Sequence, residues 1–200
     1  MSWGNPLKRY QAWKERRRRK AVIAAEKTDY QRWSTGKGWA SAWEGRARLA
    51  GELILPGSLV LDLGCGEMTL EAHLPDNCKY VPSDCVPRDA RTVVCDFNCS
   101  PPVIDAATDI VCVLGLLEYL FDAPKFMRAL SASEKRVILS YCPTDLTVGF
   151  DRGERGWVNG YSLSELEQMF HEVGFNFGSK KQIDPYQVLY DLHPLHLNGK

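Results

Sequence analysis

The chain has 200 residues with 44% apolar and 25% charged side chains, the balance of one ordinary globular domain with a small appendage. Its formal net charge of zero hides an asymmetry: residues 1–48 hold thirteen Lys and Arg against four Asp and Glu, and residues 49–200 hold twelve against twenty-one. The composition excludes a mainly disordered chain, no apolar run approaches the roughly eighteen residues of a membrane span, and the charged N-terminus lacks the apolar stretch of a secretory signal.

In chain order, 10–30 reads as one helix, since nothing in KERRRRKAVIAAEK breaks it. TGKG at 35–38 is a flexible joint, and 39–53 reads as a second helix leading into the first strand. The expected organisation is therefore a basic helical arm over 1–38 and a domain over 39–200. An arm of net +9 on a body of net −9 points to an anionic partner for the arm. Three readings of that arm stand open. One is a nucleic-acid patch, disfavoured because the body is acidic and no RNA-binding motif accompanies the charge. Another is a membrane-surface element, with Trp3, Leu7, Tyr10, Trp13 and Val22 beside the cations against anionic lipid. The favoured one is a solvated helix docked on the acidic body or on a protein partner, leaving the body folded and its ligand binding intact if residues 1–27 are removed.

From residue 52 onward, strand-like runs alternate with helical or turn segments, the pattern of an α/β fold around a mostly parallel sheet. Strands are predicted at 58–63, 79–82, 92–96, 109–114 and 136–141, with a short helix near 68–74 and another over 123–131. The continuous apolar run of the fourth strand is that of a strand buried on both faces. FNCSPPVIDAAT at 97–108 is too rich in Pro and polar residues for a crossover helix, so the sheet is short of one helix there. Ser162 caps a helix whose Leu163, Leu166, Met169, Phe170 and Val173 fall at helical spacing, Gly174 closes it, and strands follow at 175–183 and 186–192. His171 on that helix reads as solvated. The seven cysteines form no CxxC pair and no metal-ligand cluster accompanies them; they are expected to be reduced and mostly buried thiols of a cytoplasmic protein.

The strongest chemical signal is VLDLGCGEM at 60–68. A buried strand ends in an acid, then a glycine turn, then a helical segment. Gly64 and Gly66 let backbone pass close to a ligand, because a Cβ there would collide with it. Asp84 ends the next strand about twenty residues later, where a carboxylate accepts hydrogen bonds from ribose hydroxyls in nucleotide-binding α/β folds. The turn G-C-G-E-M-T lacks the third glycine of a dinucleotide fingerprint. A nucleoside-bearing cofactor other than a dinucleotide follows.

DLGCG at 62–66 resembles the first motif of the class I S-adenosylmethionine-dependent methyltransferases, and the resemblance runs through most of 40–192. YVPSD at 80–84, VVCDFN at 93–98, DIVCVLGLLEYL at 109–120, RVILSY at 136–141 and WVNGYSLSELEQMFHEVGF at 157–175 resemble the later motifs in order. The resemblance implies a Rossmann-like seven-stranded sheet with an antiparallel last strand, and S-adenosyl-L-methionine as cofactor. It implies cofactor contacts from Asp62, Gly64, Cys65, Gly66, Asp84, Cys85, Asp96, Phe97, Gly115 and Leu116. Trp39, Trp43 and Arg46 of the lead-in helix would close over the site, with Arg46 either meeting the cofactor carboxylate or standing as a surface arginine. Two departures matter: Met68 replaces the third glycine of the common pattern, and the third crossover is abbreviated.

Methyl transfer from a sulfonium asks mainly for in-line approach, and a hydroxyl acceptor adds the need for a base. The acceptor side implied by the resemblance is the end of the fourth strand and the loop after the fifth. Glu118 is the candidate base, with a cap or hydrogen-bond anchor as the competing role. Tyr141, Tyr119 and Asn159 are candidate acceptor contacts, against core packing and loop capping. DRGERGWVN at 151–159 adds Arg152, Arg155 and Trp157, a set suited to an anionic or sugar-like acceptor unless Asp151, Glu154 and the arginines pair among themselves. No D/N-P-P-Y sequence and no Pro-Cys motif point to a nucleic-acid base as substrate. The expected function is methylation of a small molecule or glycan sugar, most readily at oxygen, as in small bacterial biosynthetic enzymes including the MetW-like group. The alternative is a cofactor-binding partner subunit that regulates or scaffolds another enzyme. The arm leaves room for a protein partner or a peripheral site on the inner membrane face.

Overall fold

The computed structural model describes residues 6–35 and 40–195. Strand β1 (Leu59–Leu63) pairs in parallel with β2 (Lys79–Asp84) on one side and β4 (Ile110–Leu114) on the other. Outside these lie β3 (Val93–Val94), parallel to β2, and β5 (Arg136–Tyr141), parallel to β4. A final antiparallel pair, β6 (Phe175–Gln182) and β7 (Val188–Pro194), completes the sheet by docking β7 antiparallel on β5. The order β3-β2-β1-β4-β5-β7-β6 is a Rossmann-like mixed sheet of seven strands. The expected fold class holds.

The period-two alternation of the strands divides the core into two layers. Leu61, Leu63, Val111, Val113, Val137 and Leu139 pack against helices α4 (Ala123–Ser131) and α5 (Leu163–Glu172). Val60, Ile110, Cys112, Leu114 and Ile138 face the other way, onto Ala47 and Ala50 of helix α3 (Ala40–Gly51). Small residues bring α3 close: a Cβ on Gly51 would lie 2.3 Å from the His73 carbonyl oxygen, so helix and neighbouring turn meet at backbone distance. Asp122 caps α4 by accepting from the Lys125 N–H, and Ser162 with Glu165 forms a capping box at the start of α5. Gly174, at φ +93°, ends α5 where expected. His171 is exposed on it.

Three expectations about local structure change. The arm is not one helix to residue 30: α1 (Pro6–Ala24) stops, Glu26 turns left-handed, and α2 (Tyr30–Thr35) restarts. Asp29 is the cause, since its carboxylate accepts from the Arg32 N–H and so caps α2. The helix expected after the glycine turn is only a 3-10 turn, Thr69–His73. No helix lies between β2 and β3 or between β3 and β4, which extends the missing crossover to the whole outer half of the sheet. The joint residues 36–38 and the lid residue Trp39 lie outside the described residues, as does Trp3.

All seven cysteines are free thiols, but only Cys65, Cys112 and Cys142 are buried; Cys99 is exposed and the rest are partly so. The expectation of mostly buried thiols is corrected. Among the described residues no helix is long and apolar enough to cross a membrane, and no cluster of His, Cys, Asp and Glu has the makings of a metal site.

Met68 takes the left-handed conformation, φ 55° and ψ 31°, that the missing third glycine would have supplied at no steric cost. A side chain there costs about 1–2 kcal/mol. Met68→Gly is therefore expected to hold or raise the urea midpoint, and Met68→Val to lower stability by about 1–2 kcal/mol, because a β-branched residue fits this region worst. Equal midpoints for the two variants would show that the turn relaxes around any residue.

Candidate functional site

Strand order reverses at β1: the chain builds outward through β2 and β3 on one side and through β4 and β5 on the other. Ligands of open α/β sheets bind at the carboxyl ends of the strands beside such a reversal. A crevice lies there, lined from these strand ends and from the N-terminal helices. Its floor comes from the segments that follow β1, β2, β3 and β4.

Gly64 and Gly66 follow β1. The N–H groups of Gly64 and Cys65 both donate to the Ser83 carbonyl, at 2.8 and 3.0 Å, which folds the turn back over β2. The Gly66 N–H donates to Asp84 Oδ2 at 2.9 Å. Asp84 is buried, and Arg88 donates to both of its oxygens at 3.2 Å. Gly66 is required for its neighbour: a Cβ would stand 2.7 Å from the Trp43 ring. At Gly115, after β4, a Cβ would stand 2.3 Å from an Arg46 guanidinium nitrogen. Trp43 and Arg46, stacked at 4.9 Å, thus lie directly on the two glycine turns. Arg46 makes no ion pair among the described residues, and burial pulls its pKa down while the charge of Glu118 pulls it up.

Gly64, Gly66, Asp84, Cys85, Asp96, Phe97, Gly115, Leu116, Tyr119 and Arg46 all line the crevice. Asp62 and Cys65 line a narrower recess that continues from it beneath Trp43 and Arg46. Asp62 accepts from the Tyr80 hydroxyl at 2.7 Å, and burial pushes its carboxyl up to about 6.

The other predicted residues are not brought to the crevice. Glu118 is buried away from it, its Oε1 accepting from the Cys142 N–H at 2.9 Å and its Oε2 left without a partner. Burial raises its pKa. As placed, it anchors the end of β5 to the turn after β4, the competing role expected for it. Tyr141 is fully buried, donates to Asn159 Oδ1 at 2.7 Å and accepts from the Tyr161 N–H. Asn159 in turn donates to the carbonyls of Leu117 and Leu120. Arg152 donates to the Asn159 and Cys142 carbonyls and to the Tyr141 hydroxyl, and stacks on Trp157. These side chains lock the loop after β5 from within. Arg155 lies over Phe150 at 4.1 Å, and Trp157 donates to the Tyr119 hydroxyl at 3.2 Å. None of Tyr141, Asn159, Arg152, Arg155 and Trp157, expected as acceptor contacts, lines the crevice: all but the exposed Arg155 are tied by hydrogen bonds within the loop packing. Nor do the loop's acids pair with its own arginines, since Arg16 of α1 takes Asp151 and Glu154 instead.

The larger surprise is the arm. Arg19, Val22, Ile23, Lys27, Thr28, Asp29, Arg32 and Trp33 form the crevice's outer wall. Thr28 and Tyr30 each donate to Asp96 at 2.7 Å, and Arg88 reaches back to the Trp33 carbonyl at 3.0 Å. Burial raises the Asp96 carboxyl, but the bonds from Tyr30 and Thr28 outweigh it and hold its pKa below the ordinary value. Val22 turns into the crevice, not toward the lipid face proposed for it, while Leu7, Tyr10 and Trp13 are exposed. The arm, expected to dock apart from the ligand site, lies along the crevice as its outer wall. No motif marks these residues; the signal in sequence is only the mixture of polar and aromatic side chains in KTDYQRW, which leads into and forms the start of α2.

No protein-family model and no curated protein matches the sequence. Solved structures do match by shape. The Burkholderia thailandensis 1,6-didemethyltoxoflavin-N1-methyltransferase, with its substrate and S-adenosylhomocysteine bound, aligns over 97% of this chain and 92% of its own at 14% identity and a TM-score of 0.60. A SAM-dependent methyltransferase of Aquifex aeolicus aligns over 84% of this chain and all of its own at 16% identity and a TM-score of 0.62. Against a Nostoc punctiforme protein provisionally assigned as an O-methyltransferase, the match covers 76% of this chain but only 59% of that one, at 16% identity and a TM-score of 0.58. At such identities the likeness establishes the fold alone, the Rossmann-like fold that these methyltransferases share.

Proposed function

We propose that the chain binds S-adenosylmethionine in the crevice and methylates a small molecule at oxygen. One observation carries the cofactor reading: two glycine turns, two strand-end carboxylates and a partly buried guanidinium with no ion pair among the described residues converge on one crevice. The donor set suits a nucleoside joined to an amino acid. Asp84, which accepts from Gly66, Arg88, the Val86 N–H and the Cys85 thiol, would exchange one of the longer of these bonds for the ribose hydroxyls. Asp96 and Phe97 would lie along the base, and Arg46 over Gly115 would meet the carboxylate. The cofactor supplies an activated methyl on a sulfonium when bound.

The arm closes the crevice toward solvent, which favours a small molecule over a sugar of a large glycan. The acids lining the crevice are Asp29, Asp84 and Asp96, and each is held by hydrogen bonds from the chain itself. Among the described lining residues there is no histidine. Without a free base, the acceptor oxygen must be acidic on its own. The same observation gives the competing reading, a cofactor-binding subunit that transfers nothing, its specific support.

Calorimetry with S-adenosylhomocysteine tests the cofactor. Asp84→Asn is expected to weaken binding by about 1–3 kcal/mol, the cost of unpaired buried hydroxyls. Because Asp84 also holds Arg88, Arg46→Gln serves as the second variant. It is expected to lose affinity for S-adenosylhomocysteine roughly tenfold while leaving methylthioadenosine, which lacks the carboxylate, unaffected. Unchanged affinity in both folded variants would remove the cofactor from this crevice.

Incubation of the purified chain with methyl-labelled cofactor and a fractionated small-molecule extract separates the two readings. Label is expected in an acidic, low-mass fraction. Tight cofactor binding with no labelled fraction would favour the partner subunit.

A further inference from the structure

We infer that the outer face of α1 is a membrane-surface element that seats the protein on a bilayer containing anionic lipid. Helix periodicity gives α1 two working faces. At 3.6 residues per turn, Glu15, Arg18, Arg19, Val22 and Ile23 share one side, and Tyr10, Trp13, Lys14 and Arg17 fall within about a third of a turn on the opposite side. The first group is engaged with the body and the crevice. Arg18 pairs with Glu15 and Asp29, Arg19 donates to the Glu154 carbonyl, and Val22 and Ile23 line the crevice. Arg16, at the border of the two faces, takes Asp151 and Glu154. The second group stands toward solvent: Tyr10 is 61% exposed and Trp13 50%, and Lys14 and Arg17 are exposed beside them.

Two properties of that face match an anionic bilayer. The first is charge. α1 carries eight Lys and Arg against one Glu, and that Glu pairs with Arg18. Arg9, Lys14 and Arg17 are exposed and make no ion pair among the described residues. The second is the aromatic pair. The Tyr10 and Trp13 rings stack with centroids 5.9 Å apart, and the Arg17 guanidinium lies over Trp13 at 4.9 Å. Rings with a polar edge settle at the headgroup level of a bilayer, where neighbouring Lys and Arg meet lipid phosphates.

A nucleic acid fits the same face less well. Bases stack on open ring faces, and Trp13 is already engaged by Tyr10 and Arg17 within the helix. A polyanion long enough to span several cations would also run on toward the body, where residues 49–200 hold twelve Lys and Arg against twenty-one Asp and Glu. A bilayer is a plane and meets α1 from outside. The thickness of the helix, about 10 Å, keeps the acids behind it roughly one Debye length from the lipid charge. Because the inner face of the same helix walls the crevice, seating on lipid sets that wall beside the bilayer. Nothing in this face depends on the cofactor reading.

The test is cosedimentation of the full chain with vesicles of pure phosphatidylcholine and of phosphatidylcholine with about a third phosphatidylglycerol, at about 0.1 M salt. The anionic vesicles are expected to bind roughly tenfold more tightly. Trp13→Ala should cut that binding severalfold, and Arg9→Gln, Lys14→Gln and Arg17→Gln together should remove the preference for anionic lipid. Lys125→Gln, Lys180→Gln and Lys181→Gln together, which remove the same charge from exposed sites elsewhere, should not. All the substituted side chains are exposed and none lines the crevice, so urea midpoints and S-adenosylhomocysteine affinity should hold. Equal binding to the two vesicle types, no binding at millimolar lipid, indifference to Trp13→Ala, or an equal loss in the two triple variants would overturn the seating on lipid. Tighter binding to a single-stranded RNA of about twenty nucleotides than to the anionic vesicles would also overturn it, and give the face to nucleic acid. Vesicle binding by a chain that takes no S-adenosylhomocysteine would sink the cofactor reading and leave the membrane face standing.

Discussion

The carboxylate of Asp84 is the point on which the site depends. It accepts from Gly66 in the turn after β1 and from Arg88 in its own loop, while its backbone carbonyl accepts from Cys95 beside β3. Arg88 then carries the connection to the arm through the Trp33 carbonyl. The pair is buried, with side chains 7% and 14% exposed. A buried ion pair adds little net stability against apolar packing of the same volume, but removing one partner costs about 3–5 kcal/mol. Its value here is geometric: one charge pair sets the height of the glycine turn, the end of β2 and the docking of α2 together.

The same pair explains why the charge asymmetry of the chain does not make the arm a free basic tail. The outer half of the sheet lacks crossover helices, so the ends of β2 and β3 would stand open to solvent. The arm fills that place. Arg16 meets Asp151 and Glu154, Thr28 and Tyr30 meet Asp96, and the body's acids are answered by cations from the other end of the chain. Surface pairs of this kind contribute little each, and those to Asp151 and Glu154 are about half exposed. The hydrogen bonds to the partly buried Asp96 hold the arm more firmly.

Much of the sheet was legible because its signals are local. The fully apolar IVCVL of β4, the glycine turn after β1 and the capping box at Ser162 are each written within a few residues. The floor of the site followed from the same turns. What escaped was long-range. Nothing within the arm announces that Thr28 will meet a residue 68 positions away, or that Arg88 will reach back 55 positions to Trp33. The loop at 151–159 misled for a related reason: arginine, tryptophan and asparagine suit a ligand and a self-supporting loop equally well. The burial of Tyr141, which decides between those roles, is a property of the packed sheet. Glu118 sits at a motif position that promised chemistry, yet the Cys142 N–H behind it claims the carboxylate.

The corrections converge on one chemical consequence. With Glu118 turned inward and the lining carboxylates bound by arginine, tyrosine and threonine, the crevice offers hydrogen bonds and positive charge but no base. A hydroxyl of ordinary acidity would be a poor nucleophile in such a place. An oxygen that is already ionised, or made more acidic by nearby guanidinium groups, needs only to be held in line with the methyl group. The roof formed by Val22, Ile23 and Trp33 strengthens that effect by keeping the charges out of bulk water. On the proposed reading the ends of β1, β2 and β4 would seat the cofactor, and the arm, through α1 and α2, would close the crevice around an acceptor that brings its own reactive oxygen.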